Sequence, residues 1–173
     1  MNQEIRQERF DSFLKDHIGI IQKLCRGYTN SREDFEDNVQ EVCYQLWRSI
    51  DRFEGKSKSS TWVYRLALNV CLNNLNRRKK QPDRPTEDEV IVKTLENKTE
   101  SNEQEEMIAI LYESIGKLKP IDRGIIMLYL EKKEYIEISE IVGLSVSNVG
   151  ARISRIKQQL KKLINERSAA AVG

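Results

Sequence analysis

The chain has 173 residues, of which 39% are hydrophobic and 32% charged, so it suits one large globular domain or two small ones. No apolar run approaches the roughly 18 residues that a membrane helix needs, and no signal peptide is recognisable. We therefore expect neither a membrane-spanning nor a secreted protein, but a cytoplasmic one without membrane insertion. Leu, Ile, Lys, Glu and Arg are common whereas Gly and Pro are few, and this composition predicts an all-α fold.

The small net charge of +2 conceals three blocks of alternating sign. Residues 1–80 carry 15 basic and 11 acidic side chains, residues 81–106 carry 3 basic and 9 acidic ones, and residues 107–173 carry 11 basic and 7 acidic ones. Two basic blocks that flank an acidic connector indicate nucleic-acid contact by both basic blocks.

The first 28 residues show apolar side chains at three- and four-residue spacing, which predicts helical scaffold. Gly19 either marks a bend between two helices or is tolerated inside one. The single histidine, His17, is interpreted as a surface or helix-end residue. The three cysteines occupy apolar helical positions, which favours reduced core thiols over metal ligands or disulfide partners. These cysteines are Cys25, Cys43 and Cys71.

The next predicted helix begins near Asn30 or Ser31, either of which could cap it, and acidic residues fill its first turns. Asp37, Gln40 and Glu41 share its polar side at helical spacing. From the residues alone, a solvated acidic face is the favoured interpretation. A carboxylate metal site would need Glu-x-x-His pairs on facing helices, which a chain with one histidine cannot supply. We expect no metal and no cofactor.

A basic loop over residues 53–60 precedes a third helix, which Ser60 or Thr61 would cap and which runs to about residue 80. Three asparagines share one face of this helix, and asparagine is a poor helix former. Hydrogen bonding to nucleic-acid bases or to the nucleic-acid backbone explains the presence of these asparagines. A neutral polar surface is the alternative. They are Asn69, Asn73 and Asn76, and the helix ends in the four bases of residues 77–80.

Pro82 and Pro85 stop this helix, and the polar, acidic residues that follow predict a linker over residues 81–104. The predicted domains are residues 1–80 and 105–168. The linker is interpreted as a solubilising tether, and mimicry of nucleic acid in a basic channel is the alternative.

The second domain shows a helix, a Gly-containing turn over residues 143–145, and a long helix that Ser145 caps. This order is the helix-turn-helix signature, in which the second helix places its N-terminal residues on base edges in the major groove. An ordinary αα-corner is the alternative. The exposed candidates are Ser147, Asn148, Ala151, Arg152 and Arg155, followed by Lys157, Lys161 and Lys162, which suit phosphates.

The order of these segments resembles the extracytoplasmic-function (group IV) RNA polymerase sigma factors of the sigma-70 superfamily, which contain only sigma regions 2 and 4 on a linker. Residues 37–41 with residues 46–54 are similar to the family's polymerase-binding helix. Residues 58–69 are similar to its promoter-melting segment. Residues 135–145, with Arg152 and Arg155, are similar to its reader of the upstream promoter element.

The resemblance implies a non-enzymatic initiation factor that binds core RNA polymerase, directs it to the minus-ten and minus-thirty-five promoter elements and assists melting. It also implies an anti-sigma factor as partner. The residues implied at the polymerase are Asp37, Gln40 and Glu41. Those implied at downstream promoter DNA are Lys56, Lys58, Trp62, Asn69, Arg77, Arg78 and Lys79, with Lys80 beside them. Those implied at upstream promoter DNA are Ser147, Asn148, Ala151, Arg152 and Arg155.

The chain departs from the family pattern at several of these positions. Ser59 and Ser60 stand where many members have an aromatic residue, Asn73 and Asn76 where they often have Asp and Arg, and Gly150 where they often have Lys. The promoter preference of other members therefore does not transfer to this chain.

The tryptophan pair that housekeeping sigma factors use for melting is replaced by Arg65 and Leu66. This replacement fits a factor restricted to a few promoters of strong consensus. A second hypothesis is a stand-alone helix-turn-helix regulator that binds duplex DNA through residues 136–162. Its first helical domain would then be a dimerisation or sensor module.

Overall fold

The computed structural model of the chain describes residues 2–81 and 103–172. Within these ranges every regular element is a helix, which confirms the predicted all-α fold. The chain divides into two compact units, Met1–Thr86 and Glu87–Gly173, as expected for two helical domains. Most of the predicted linker over residues 81–104 lies outside the described residues, and the predicted domain boundaries stay a prediction. No helix within the described ranges is both long and apolar enough to cross a membrane.

Over residues 2–81, the first unit consists of three long helices and one short 3-10 turn. The helices are α1 (Gln3–Gly27), α2 (Arg32–Ser49) and α3 (Ser59–Lys79), with the 3-10 turn at Ile50–Arg52. Each long helix packs against the other two. Gly19 lies inside α1, which runs through it. The core consists of Ile21, Leu24, Cys25, Tyr28, Val42, Leu46, Ile50, Val63, Tyr64, Ala67, Leu68, Val70 and Cys71.

The start of α2 agrees with the cap predicted from the sequence, whereas the start of α3 does not. The Ser31 hydroxyl accepts a hydrogen bond of 3.1 Å from the backbone N–H of Asp34, which confirms Ser31 as the cap. The predicted cap at Ser60 or Thr61 is wrong, because α3 already begins at Ser59 with Lys58 in the cap position. Thr61 is buried in the core instead, where it cannot cap a helix start.

Asn38 is the polar centre of the first unit, because it is completely buried between α2 and α3. Its Oδ1 accepts hydrogen bonds from Asn74 Nδ2 at 2.9 Å and from Arg78 Nη2 at 2.6 Å. Its Nδ2 lies 3.8 Å from the Cys71 sulfur. A buried amide is tolerated when its oxygen and its nitrogen both have partners, and here they do.

Arg78 extends this network to the ends of all three helices. Its Nη1 donates to the backbone carbonyl of Tyr28, just after α1, at 3.2 Å. Its Nε lies 3.6 Å from the carboxylate of Asp34 in the first turn of α2. The guanidinium, which belongs to α3, therefore ties the three helices together at one end of the unit.

Cys25 and Cys71 are buried with their sulfurs 3.9 Å apart, and Cys43 is half-buried nearby. The hydrogen bond with Cys71, together with burial, raises the pKa of the Cys25 thiol. Burial, with a smaller effect of Cys25, raises the pKa of Cys43. The predicted core placement is therefore correct for Cys25 and Cys71. His17, expected at the surface or a helix end, is instead half-buried mid-helix with its Nδ1 3.1 Å from the Tyr64 hydroxyl.

Over residues 103–172, the second unit has four helices, and the last of them contacts the other three. They are α4 (Glu103–Ile115), α5 (Pro120–Leu130), α6 (Tyr135–Val142) and α7 (Val146–Val172). Pro120 occupies the first turn of α5, as predicted. The core consists of Ile115, Leu118, Ile125, Ile126, Met127, Leu128, Ile138, Ile141, Val149, Ile153, Ile156 and Leu160.

The turn between α6 and α7 confirms the predicted helix-turn-helix. Gly143 ends α6 in the left-handed conformation with φ at 76°, which a glycine adopts without steric cost. The Ser145 hydroxyl then accepts from the backbone N–H of Asn148 at 3.2 Å and caps α7. The same hydroxyl lies 3.3 Å from that of Ser147, on the exposed side of the turn.

We expect Asn38→Ala to lower the free energy of unfolding by about 2–3 kcal/mol, because it leaves Asn74 and the charged Arg78 without their shared acceptor. Chemical denaturation of the full chain measures this change. Asn73→Ala, on the exposed face of α3, is the matched control and should change stability by less than about 0.5 kcal/mol. Equal effects of the two substitutions would contradict the structural role of Asn38.

Candidate functional site

A groove of about 510 Å³ lies between α2 and the C-terminal end of α3. One wall is acidic and comes from α2, and the opposite wall carries two arginines from α3. Arg78, which joins the ends of the three helices, is one of these two arginines. Its lining residues are Asp34, Asp37, Gln40, Glu41, Tyr44, Asn74, Arg77, Arg78 and Gln81.

All three predicted polymerase-binding residues line this groove. Asp37 and Gln40 are exposed, and Glu41 is half-buried while its carboxylate accepts from Gln45 Nε2 at 2.8 Å. The structure therefore brings together the residues that helical spacing placed on one side of α2. An exposed carboxylate and amide beside a groove can bind a partner's donors without first breaking a contact in the core.

Tyr44 belongs to the same wall and was missed by sequence reasoning. Its side chain is 54% exposed, and the Arg48 guanidinium lies 5.6 Å from its ring centre. Tyrosine supplies large contact area at a low cost in conformational entropy, which is why it is common at protein interfaces. Tyr44 follows Glu41 by three residues and Gln40 by four, so helical spacing could have placed it on the same side of α2.

The basic residues at the C-terminal end of α3 do not form one cluster. Successive residues turn by about 100° around a helix, so Arg77, Arg78 and Lys79 point to different sides. Arg77 donates to Asn74 and lines the groove, while Lys79 is exposed. Arg78 is committed to the interior network, with its side chain only 17% exposed. Arg78 therefore contributes to packing among the three helices, and its predicted contact with downstream DNA stays a prediction.

The exposed face of α3 forms a polar stripe that includes the predicted Asn69. Its members recur at three- and four-residue intervals, which places them on one side of the helix. All of them are exposed, and Lys80, just after the helix, continues the line. We call this set the α3 stripe: Arg65, Asn69, Asn73, Asn76 and Lys80.

Trp62 lies at the other end of the α3 stripe and is half-buried in an aromatic cluster. Its ring centre is 5.1 Å from that of Phe53 and 6.1 Å from that of Phe13. Lys56 and Lys58, in the preceding loop, are both exposed, and Lys56 pairs with Glu54 at 2.6 Å. Trp62 and Lys79 are roughly 25 Å apart along α3 at 1.5 Å per residue. The predicted downstream-DNA residues therefore span the whole helix.

The predicted upstream-DNA residues lie at the start of α7, and they fall into two groups. Ser147, Ala151 and Arg155 are exposed. Asn148 and Arg152 are half-buried and joined to each other, because Arg152 Nε donates to Asn148 Oδ1 at 3.1 Å. Arg152 Nη1 also donates to Asp122 Oδ1 in α5 at 2.9 Å. Asp122 was not identified from the sequence.

Two tyrosines, Tyr129 and Tyr135, lie beside α7 on the side that carries Gly150, where members of the family often have a lysine. A Cβ on Gly150 would lie 3.3 Å from the ring of Tyr135, so this ring approaches the helix closely. Lys157 Nζ donates to the Tyr129 hydroxyl at 2.6 Å, and this hydrogen bond raises the pKa of Lys157. Lys157, one of the predicted phosphate-binding lysines, is therefore hydrogen-bonded to an aromatic neighbour beside α7.

The described residues do not assemble a metal site: among them, no group of three or more His, Cys, Asp or Glu side chains could hold a metal ion. The carboxylates of α2 form one wall of the groove, opposite the arginines of α3. An acidic wall of this kind suits a basic protein surface, because it would repel nucleic-acid phosphates.

Both units match regions of known sigma factors. Residues 13–81 match Sigma-70 region 2, and residues 108–160 match Sigma-70 region 4. The ECF RNA polymerase sigma-E factor of Haemophilus influenzae is 32% identical over 147 residues, which cover 78% of this chain and 76% of that protein. The ECF RNA polymerase sigma factor SigW of Bacillus subtilis is 28% identical over 172 residues, which cover 92% of this chain and 91% of that protein.

Two solved structures have a similar fold. CnrH in complex with the cytosolic domain of CnrY superposes with a TM-score of 0.68 at 20% identity, over 92% of this chain and 90% of that one. The sigma factor RpoE of Bartonella quintana, in complex with the anti-sigma factor NepR, superposes with a TM-score of 0.64 at 16% identity, over 89% of this chain and 97% of that one.

We expect Arg78→Ala to lower the free energy of unfolding by about 2–3 kcal/mol, because it removes one member of a buried, hydrogen-bonded network. Arg78→Lys should recover only part of this loss, since an ammonium cannot reproduce the forked geometry. Lys79→Ala, next to it and exposed, is the control and should be neutral within about 0.5 kcal/mol. Denaturant titration compares the three, and a neutral Arg78→Ala would contradict the packing role.

Proposed function

Since the chain belongs to the extracytoplasmic-function family of RNA polymerase sigma factors, we propose how its surfaces divide the work of that function. The protein is a sigma factor that directs core RNA polymerase to promoters. Its first unit corresponds to sigma region 2 and its second to sigma region 4. The match of residues 13–81 argues against a stand-alone regulator whose first unit serves as a sensor or dimerisation module.

The groove beside α2 is the proposed docking surface for core polymerase. The observation that carries this assignment is the exposure of Asp37 and Gln40 next to Tyr44 on one wall of a preformed groove. Acidic side chains provide electrostatic steering and register toward a basic partner, while a central aromatic residue contributes contact area. Glu41 completes the wall, with its carboxylate oriented by Gln45.

The α3 stripe and the loop before α3 are the proposed contacts to downstream promoter DNA. Asn69 offers an amide to a base edge, and Lys56, Lys58 and Lys79 offer charge to phosphates. Extruding a base from the stack costs a few kcal/mol, which stacking and edge hydrogen bonds in a pocket can recover. Trp62 supplies an aromatic surface there, and Arg77 stands at the border with the polymerase groove.

The start of α7 is the proposed reader of the upstream promoter element. Ser147, Ala151 and Arg155 are exposed there, with Asn148 and Arg152 beside them. A helix of this kind places its N-terminal side chains against base edges in the major groove. The held ammonium of Lys157 would contact a phosphate further along the helix.

We further infer that the chain has no catalytic activity of its own, because sigma factors are in general not enzymes and polymerisation belongs to the core enzyme. Work with core polymerase on promoters implies a cytoplasmic location. An anti-sigma factor is a proposed partner, supported by the similar fold of a sigma factor solved with the anti-sigma factor NepR. The polymerase groove is the surface that such an inhibitor would cover.

The docking assignment is tested with a variant that carries Asp37→Ala, Gln40→Ala and Glu41→Ala together. We expect its affinity for purified core RNA polymerase to fall at least about tenfold, since it removes two charges and an amide from the groove wall. Duplex-DNA contacts by the second unit should be intact.

The matched control removes one Glu, one Asp and one Gln from the exposed face of α1, by Glu8→Ala, Asp16→Ala and Gln22→Ala. This control should bind core polymerase as well as the unmodified chain does. If the groove variant still co-purifies fully with core polymerase, the docking assignment is wrong.

A further inference from the structure

Asp122 lies in the second unit but outside the segment that would touch DNA. It sits in the first turn of α5, where its backbone N–H bonds to the Lys119 carbonyl at 3.0 Å. Its side chain is only 13% exposed, and its carboxylate lies 2.9 Å from Arg152 Nη1. Asp122 therefore places a carboxylate in the first turn of α5, where it accepts a hydrogen bond from Arg152.

Arg152 connects Asp122 to the reading face of α7. Its Nη1 is bound to Asp122 and its Nε to Asn148 Oδ1, so two points of the planar guanidinium are fixed. The contacts among the described residues leave its other terminal nitrogen, Nη2, without a hydrogen-bond acceptor. The plane of the guanidinium is therefore set before any DNA arrives.

The hydrogen bonds that link Asp122, Arg152 and Asn148 also determine the orientation of the Asn148 amide. A carboxylate only accepts hydrogen bonds and a guanidinium only donates them. The group of Asn148 that faces Arg152 must therefore be the amide oxygen. Its Nδ2 is then the group left for a base, and it can only donate.

We infer that Asp122 is a positioning residue for upstream-element recognition. Acting through Arg152, it fixes the amide of Asn148 so that the side chain presents its Nδ2 donor to an acceptor on a base edge. This inference rests on the proposed function, in which the start of α7 reads duplex DNA. An asparagine whose amide is free to flip can accept a hydrogen bond from one base or donate to another, whereas a fixed amide discriminates between the two bases.

The test uses the full chain and a pool of duplex DNA with randomised sequence, from which the unmodified protein selects its preferred site. Selectivity is the ratio of affinity for the selected duplex to affinity for the random pool. We expect Asp122→Ala to lower this ratio about tenfold, within the range that one mismatched base pair costs, and to lose discrimination at one base pair. Affinity for the random pool should change less than about threefold, since phosphate contacts are retained.

Three further variants separate positioning from a purely structural role. Asp122→Asn keeps an oxygen acceptor for Arg152 and should restore most of the selectivity. Asp122→Ser is too short to reach Arg152 but keeps a polar first turn, so it should lose selectivity even if Asp122→Ala fails to fold. Glu113→Ala, which breaks the 3.1 Å ion pair of Arg167 on α7, is the control and should leave the ratio unchanged.

A double variant gives an independent check that Asp122 acts through Asn148. Asn148→Ala added to Asp122→Ser should reduce selectivity little further, because both act on the same base pair. If the Asp122 variants keep the selectivity of the unmodified chain, or lose specific and random binding in equal measure, the inference is wrong. If the unmodified chain itself selects no sequence, the proposed reading role of α7 fails instead.

Discussion

The first unit depends on the burial of a guanidinium and two amides among three helices. Asn38 accepts from Asn74 and Arg78, while Arg78 also reaches Tyr28 and Asp34. Buried polar groups are tolerated only when all their partners are present, so the removal of one member leaves the others unsatisfied. The network therefore fixes where α1, α2 and α3 end relative to one another.

The fixed positions of these helix ends create the groove between α2 and α3. The proposed polymerase surface and the proposed DNA surface meet at this groove. The acidic wall of α2 and the two arginines of α3, Arg77 and Arg78, line opposite sides of it. The sequence indicated a protein-facing acidic helix on one side and a basic nucleic-acid-facing end on the other. In the structure these two surfaces adjoin, so a polymerase bound at the proposed docking groove would lie next to DNA bound at the proposed contacts of α3.

Much of this architecture could be predicted because it follows from local physics. Apolar spacing located the helices, and short polar side chains located the caps at Ser31 and Ser145. Gly143 was expected in the turn that ends α6, and it adopts the left-handed conformation there. Exposed residues such as Asn69 and Arg155 were assigned correctly to the surface, since helical period alone decides that.

The rest could not be predicted because it depends on partners distant in sequence. The sequence assigned Arg78 and Arg152 to DNA and did not single out Asn38 or Asp122, whereas the fold pairs Arg78 with Asn38 and Arg152 with Asp122. Run-off transcription with purified core RNA polymerase over a promoter library, with no inhibitor present, tests whether these two units form a promoter-directing factor. We expect initiation on a small set of templates that share an upstream and a downstream element, and the absence of initiation on every template would contradict this function.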